Sequence, residues 1–263
     1  MLAAQYLREV LKEYSFTEDQ RSKIRSAIIP LVKEVKAWAG PNLIRVIPTG
    51  SFAKGTAVRG NVDMDLFISL KHDTSHQLSD IYNSLSDYFE ESYSIRRQNV
   101  SVRVNYAGLN VDLVPGKRQS QSGTAHSIYS SKAEAWTKTD IIKHIAMIKE
   151  GPHREIMRLI KVWRELNQLE FPSFLIELMV LESFKSQKAL GLSQKLLQTL
   201  RFISRNIESI KIVDPANGNN IITDTISQAD KQEISSAAKA SVLEPYWERV
   251  VWGVFPKDTK MPL

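Results

Sequence analysis

The spacing of apolar residues divides the chain into a mixed first half and a helical second half. Apolar positions three and four residues apart predict a helix over 2–14 and a second helix from Thr17 to Gly40, kinked at Pro30. Alternating and short apolar runs then predict strands, interrupted by one helix. The predicted strands cover 43–47, 62–70, 100–106 and 110–114, and the helix between them covers 77–91.

Helical spacing returns in the second half. Residues 116–135 look like a polar connection, Trp136 and Thr139 begin the next helix, and 210–215 is one short extended piece. The predicted helices there cover 139–150, 153–168, 173–189, 194–208 and 227–241. We therefore expect an α+β protein with two domains, a catalytic domain over 1–130 and a helical nucleotide-binding domain over 131–263.

Composition excludes several classes of protein. The 263 residues are 43% hydrophobic and 24% charged, which is typical of a globular fold and excludes disorder and coiled coil. The absence of cysteine excludes disulfides, thiolate metal sites and a cysteine nucleophile. No apolar run approaches the roughly 20 residues that span a bilayer. We expect a cytoplasmic protein without a membrane segment, as a monomer or weak dimer; its net charge of +6 is a weak signal for a polyanionic partner.

Two acidic residues lie two positions apart on one predicted strand. Side chains alternate along a strand, so Asp63 and Asp65 project to the same side while Met64 points toward the core. Asp112, on the later strand 110–114, would join them if the two strands are neighbours in one sheet. Three carboxylates can hold two Mg²⁺ ions, the usual arrangement for in-line phosphoryl displacement.

The loop before this strand carries groups suited to phosphate. A small residue at Gly50 lets backbone N–H groups approach phosphate oxygens, and Ser51, Lys54 and Thr56 add hydroxyl donors and a cation. Each element has an ordinary alternative, because Asp-x-Asp is common on exposed strands and most Gly-Ser pairs are turns. The combination indicates nucleotidyl transfer.

These motifs carry a family resemblance. Gly50-Ser51 followed by Asp63-x-Asp65, with Asp112 as a third acid, resembles the signature of the DNA polymerase β-like nucleotidyltransferase superfamily. Segments 158–184 and 212–220 resemble the helical half of three groups of enzymes. These are the 2′-5′-oligoadenylate synthases, the cGAS/DncV-like nucleotidyltransferases (CD-NTases) and the archaeal-type CCA-adding enzymes. The resemblance implies a mixed sheet backed by a long N-terminal spine helix, a helical domain and an active-site cleft between them.

The resemblance also implies roles for residues. Two Mg²⁺ ions, or Mn²⁺ in their place, would bind Asp63, Asp65 and Asp112 together with a nucleoside triphosphate, and Asp112 would help activate a 2′- or 3′-hydroxyl. Gly50 and Ser51 would hold the triphosphate. The remaining implied contacts are Lys161 to phosphate and Ser173 to phosphate or base. From composition alone, a solvated surface lysine is the preferred interpretation of Lys161.

Three functions remain open. The first is synthesis of a linear or cyclic oligonucleotide second messenger from nucleoside triphosphates, with release of pyrophosphate, a role in antiviral defence. The second is CCA addition or another terminal transfer to an RNA 3′ end, and the third is a silent member that binds nucleic acid or a partner. The first is preferred because the acids are intact, a net charge of +6 is small for a protein that grips RNA, and CCA-adding enzymes carry further domains.

Arg103 lies on the predicted hairpin and is interpreted as part of an ordinary charged face.

Overall fold

The chain forms ten helices and nine strands within residues 3–60, 63–185 and 190–252, which the structure, a computed structural model, describes. The helices are α1 Ala3–Glu13, α2 Glu18–Ala27, α3 Ile29–Ala39, α4 Gly50–Lys54, α5 Leu78–Glu90, α6 Ile141–Lys149, α7 Arg154–Leu166, α8 Ser173–Ser183, α9 Leu192–Asn206 and α10 Gln228–Leu243. The strands are β1 Leu43–Thr49, β2 Asp63–Leu70, β3 Ile95–Arg97, β4 Val102–Tyr106, β5 Leu109–Arg118, β6 His126–Ser130, β7 Ala135–Thr139, β8 Val213–Asp214 and β9 Asn217–Ile221.

These elements assemble into two compact units. The sheet unit comprises the described residues of 16–55 and 61–149, which include β1 to β7. The helical unit comprises the described residues of 1–15, 56–60 and 150–252, which include α1 and α7 to α10. The ranges 1–130 and 131–263 divide the sequence continuously, and as functional domains they stay a prediction.

The sheet unit is built on a mixed seven-stranded sheet. Its main path runs β1-β2-β5-β4-β3, and β6 pairs with β5 and with β7. The β2–β5 pair is parallel, whereas the other pairs are antiparallel. Helix α5 packs against β3 to β6 and buries four hydrophobic side chains at helical spacing, which provides the core on its side of the sheet. These side chains are Ile81, Tyr82, Leu85 and Phe89.

The helical unit is organised around α7 and α8. Helix α7 buries every position from 156 to 163 except Arg158. Trp163 is fully buried, and its Nε1 donates to Ser241 Oγ at 2.9 Å. Helix α1 packs against α7 and α9, and the Tyr6 hydroxyl donates to the Val251 carbonyl oxygen at 2.9 Å. The first helix is therefore part of the same core as the last described residues of the chain.

Two sequence predictions about the segment after residue 116 are wrong. Strand β5 continues to Arg118, and β6 and β7 form a hairpin where a polar connection was expected. Trp136 and Thr139 lie on β7, and α6 begins only at Ile141. Polar residues fill this hairpin and hide its alternation, since the buried positions of β6 are His126, Ile128 and Ser130.

The predicted kink at Pro30 is a break between two helices. Helix α2 ends at Ala27 and α3 begins at Ile29, which places Pro30 in the first turn of α3. Proline suits that position because its missing N–H would have no partner there. The predicted loop at 50–54 forms the short α4, and the predicted helix 173–189 ends at Ser183, with 186–189 outside the described residues.

The α+β class predicted from the sequence is confirmed by this architecture. None of the described helices combines the length and the apolar composition needed to cross a membrane.

Candidate active site

Two neighbouring strands bring the three predicted acids together. In the parallel β2–β5 pair, Asp65 is aligned with Asp112 and Asp63 with Asn110. Met64 and Leu66 are almost fully buried on the opposite face of β2, so both β2 carboxylates project from the other face. The sequence expectation that Asp112 lies on a strand next to Asp63 and Asp65 is met.

A guanidinium group links two of these carboxylates. The β4–β5 hairpin places Arg103 opposite Asp112, where Nε and Nη2 donate to the two carboxylate oxygens at 2.8 Å each. Nη2 also donates to Asp63 Oδ2 at 2.8 Å, and Asn110 Nδ2 donates to Asp63 Oδ1 at 3.3 Å. The hydrogen bonds with Asp112 are the main reason that the pKa of Arg103 is raised.

The interpretation of Arg103 as part of an ordinary charged face is therefore wrong. One signal in the sequence could have shown this, namely the register of the predicted hairpin. With Tyr106 paired to Leu109 across the turn, counting outward one residue at a time on each strand places Arg103 opposite Asp112.

The third carboxylate, Asp65, is short of positive charge. Burial, and then the negative charge of Asp112, raise the pKa of Asp65 to about 6. Asp63 adds to this effect, while Lys54 and Arg103 oppose it without cancelling it. A further cation beside Asp65 would therefore stabilise its ionised form.

Gly50 lies directly against this carboxylate. It has a left-handed φ of 62°, and a Cβ built on it would lie 1.7 Å from Asp65 Oδ2. Only glycine fits this approach, so the loop backbone is held beside the acid. Ser51 follows within α4, and Lys54, at the end of α4, is 8% exposed and contributes positive charge at Asp65.

The donor set suits a divalent cation. Among the described residues, no three His, Cys, Asp or Glu side chains are already gathered around one metal position, and Arg103 occupies the space between two of the acids. The chemistry nevertheless fits, because carboxylate oxygens are the ligands that Mg²⁺ prefers and the negative charge of Asp65 is only partly compensated by Lys54 and Arg103.

Two other predicted site residues lie together in the core of the helical unit. Lys161 Nζ donates to Thr56 Oγ1 at 2.9 Å and to Glu177 Oε1 at 2.8 Å, and Thr56 Oγ1 donates to Glu177 Oε1 at 2.6 Å. All three residues are at most 1% exposed. The phosphate contacts expected of Lys161 and Thr56 stay predictions, and a direct contact would require phosphate to reach these buried groups.

Glu177 was not singled out from the sequence, and its only signal is a charge inside the apolar run of α8. Ser173 is the first residue of α8, and its Oγ accepts a hydrogen bond from Arg164 Nη1 at 3.2 Å. Its expected contact with phosphate or base stays a prediction.

The parallel pair of acid-bearing strands beside a glycine loop defines the chain as a nucleotidyltransferase with the polymerase β-like fold. Residues 1–151 match the family of the "Second Messenger Oligonucleotide or Dinucleotide Synthetase domain" (SMODS). Because this match covers more than half of the 263 residues, the chain belongs to the SMODS family.

Known proteins show the same relationship. A "Cyclic AMP-AMP-AMP synthase" of Escherichia coli (strain MS 115-1) is 25% identical over 238 residues, covering 75% of this chain and 74% of the relative. A "CCA-adding enzyme" of Methanosarcina barkeri is 29% identical over 194 residues, covering 67% of this chain and 41% of that enzyme. The structure of the Bradyrhizobium diazoefficiens CD-NTase CdnG in complex with GTP superposes with a TM-score of 0.77 at 13% identity, covering 94% of each chain. The predicted resemblance to CD-NTases and the predicted fold class are confirmed.

We expect the Gly50→Ala substitution to lower the rate of nucleotidyl transfer by about 100-fold, because the added methyl group would displace the Asp65 carboxylate. Small misplacements of a group at a reacting site reduce rates by this amount. The measurement is pyrophosphate release from nucleoside triphosphates. Gly40→Ala is the control, since Gly40 has a similar φ of 51° and no atom within 4 Å of the added Cβ. Equal losses in both variants would show that backbone strain, and not the contact with Asp65, is responsible.

We expect Asp65→Asn to stabilise the metal-free protein by up to about 3 kcal/mol at pH 7.5, since each unit of pKa shift is worth about 1.4 kcal/mol. The folded-state pKa is raised above the ordinary value of 3.8, so wild-type stability falls as the pH rises from 3.8 through about 6. The gain should vanish below the ordinary pKa. The gain in the free energy of unfolding is measured by urea unfolding in EDTA at pH 7.5 and at a pH below 3.8. The control is Asp73→Asn, at an exposed position. An unchanged stability of Asp65→Asn at pH 7.5 would contradict the raised pKa.

We expect Glu177→Ala to destabilise the protein by about 3 kcal/mol or more, because it removes the carboxylate that buried Lys161 binds. The double variant Lys161→Met/Glu177→Leu should recover much of this loss, because it removes both charges together. Thr56→Val, which removes only a hydroxyl, should cost about 1 kcal/mol. Urea unfolding measures all three, and a harmless Glu177→Ala would show that the ion pair is unimportant.

Proposed function

We propose that this chain joins nucleoside triphosphates into a linear or cyclic oligonucleotide second messenger and releases pyrophosphate in a Mg²⁺-dependent reaction. The observation that carries the proposal is the alignment of Asp65 with Asp112 on parallel strands, with Asp63 on the same face. Membership of the SMODS family supports the choice of product.

In this proposal Asp63, Asp65 and Asp112 hold two Mg²⁺ ions, for which Mn²⁺ can substitute. Bound there, the ions would neutralise charge on the triphosphate and the charge that develops on the leaving pyrophosphate. The raised pKa of Asp65 supports the assignment, because it reports a carboxylate that gains stability from an added cation.

The other residues of the sheet unit position the nucleotide. Gly50 keeps the loop backbone beside Asp65, where its N–H groups bind triphosphate oxygens. Ser51 donates its hydroxyl, and Lys54 contributes positive charge. Asp112 takes the proton of the attacking 2′- or 3′-hydroxyl. The hydroxyl oxygen then bonds to the α-phosphorus while the bond from that phosphorus to pyrophosphate breaks.

Arg103 orients two of the carboxylates in this site. Its three hydrogen bonds fix the carboxylates of Asp112 and Asp63 relative to each other before substrate binds. We place the enzyme in the cytoplasm, where nucleoside triphosphates and Mg²⁺ are available.

A second candidate is transfer of nucleotides to an RNA 3′ end. The 29% identity with the Methanosarcina barkeri CCA-adding enzyme favours it, but the alignment covers only 41% of that enzyme. The cyclic AMP-AMP-AMP synthase is covered to 74% of its length, and the matched family is a second messenger synthetase. A small nucleotide acceptor is therefore the better supported proposal.

We expect the purified protein, given all four α-labelled nucleoside triphosphates and Mg²⁺, to make small phosphatase-resistant oligonucleotides without added RNA. Products are separated after phosphatase treatment, in parallel reactions with and without tRNA. Asp63→Asn and Asp65→Asn should each reduce turnover by several orders of magnitude, because both remove a metal ligand. The exposed Asp73→Asn is the matched control.

Label transferred to tRNA instead would establish the second candidate. Full activity of Asp65→Asn would remove the metal assignment, and an absence of both products with all four nucleotides would contradict the proposed function.

A further inference from the structure

The helical unit contains a cavity of about 440 Å³ that the proposed reaction does not use. Its walls come from α1, from the start of α7 and from the start of α9. The polar and charged wall residues are Arg8, His153, Arg154, Glu155 and Lys195, with Gly191 at the start of α9. The volume falls within the range of small-molecule binding sites.

The cavity carries an excess of positive charge. Arg8, Arg154 and Lys195 supply three cations from three helices, against one acid, Glu155. Within the described ranges, none of these cations forms an ion pair with an acidic side chain. Arg8 and Arg154 are exposed at the rim of the cavity. Both can therefore contact a ligand without giving up a buried hydrogen bond or ion pair. Charge of this kind favours an anion.

Backbone donors add to this preference. Helix α7 has 13 residues and α9 has 15, and both begin at the cavity wall. His153, the residue before α7, makes no side-chain hydrogen bond to its first turn. In the part of the chain that the structure describes, the N–H groups of 154–156 donate to no acceptor. Free N–H groups at the start of a helix bind anions.

His153 also has an unused polar atom at this wall. Its Nδ1 is buried and makes no hydrogen bond to any described residue, while the ring stacks on Phe184 with centroids 4.2 Å apart. Buried polar atoms normally have partners, and an exception calls for an explanation. Protein atoms cover Nδ1 in the empty cavity, so the ring would have to turn before Nδ1–H could donate to a ligand oxygen there.

We propose that this cavity is a binding site for a phosphate-bearing small molecule, formed by Arg8, Arg154 and Lys195 together with the first turn of α7. Phosphate matches the site because its oxygens accept hydrogen bonds from guanidinium, ammonium and backbone N–H groups at once. The residues differ from those of the carboxylate site in the sheet unit, so the proposal does not depend on the proposed function.

The test is calorimetric titration of the full chain with inorganic pyrophosphate, ATP and adenosine in EDTA. Without divalent cations, the three carboxylates of the sheet unit disfavour a polyphosphate, and the cavity variants below assign the remaining binding to the cavity. Circular dichroism checks that each variant is folded. The readout is a dissociation constant and not turnover, so failure of this proposal is distinguishable from failure of the proposed function.

We expect Arg154→Gln/Lys195→Gln to weaken binding of ATP and pyrophosphate by about tenfold or more, because two charge-assisted hydrogen bonds are lost. The control Arg201→Gln/Arg205→Gln removes the same charge from α9 away from this cavity and should change binding by less than about twofold. If ATP binds more tightly than pyrophosphate, the cavity recognises a nucleotide. If the two affinities are equal, the cavity recognises the phosphate group alone. Adenosine binding as tightly as ATP, equal losses in the two double variants, or no binding to wild type would overturn the proposal.

Discussion

Repulsion between carboxylates that face the same way on adjacent strands is the constraint on which this structure depends. The parallel β2–β5 register aligns Asp65 with Asp112, and such an arrangement is costly unless positive charge is supplied. Arg103 supplies it to Asp112 and Asp63, and the raised pKa of Asp65 shows that the compensation is incomplete. In the proposed function, the same imbalance that costs stability favours the binding of cations.

The fold maintains this arrangement through its apolar residues. Met64 and Leu66 fix the face of β2 that enters the core, and a slip of one residue would bury the acids instead. Gly50 then brings the loop backbone against Asp65, which no other residue could do. The helical unit contains a second buried charge arrangement, the Lys161–Glu177 pair with Thr56, and there the opposite charges are paired directly.

Much of the carboxylate site could be predicted from the sequence, because alternation along a strand is a local property. Asp63 and Asp65 share a face for that reason, whereas the place of Asp112 came from the resemblance to a family. Arg103 was missed because its role depends on the register between β4 and β5, and a lone arginine resembles a surface residue. Hairpin β6–β7 was missed because its buried positions include His126 and Ser130. Glu177 was missed because a charge within an apolar helix does not by itself show which residue it pairs with.

The most direct test is a crystal structure with Mn²⁺ and a non-hydrolysable nucleoside triphosphate, with anomalous scattering used to locate the metal. The account predicts two Mn²⁺ positions bound by Asp63, Asp65 and Asp112, with Arg103 no longer occupying the space between Asp63 and Asp112. Mn²⁺ found elsewhere, or a nucleotide bound while Arg103 still bridges these two acids and no metal is present, would contradict it.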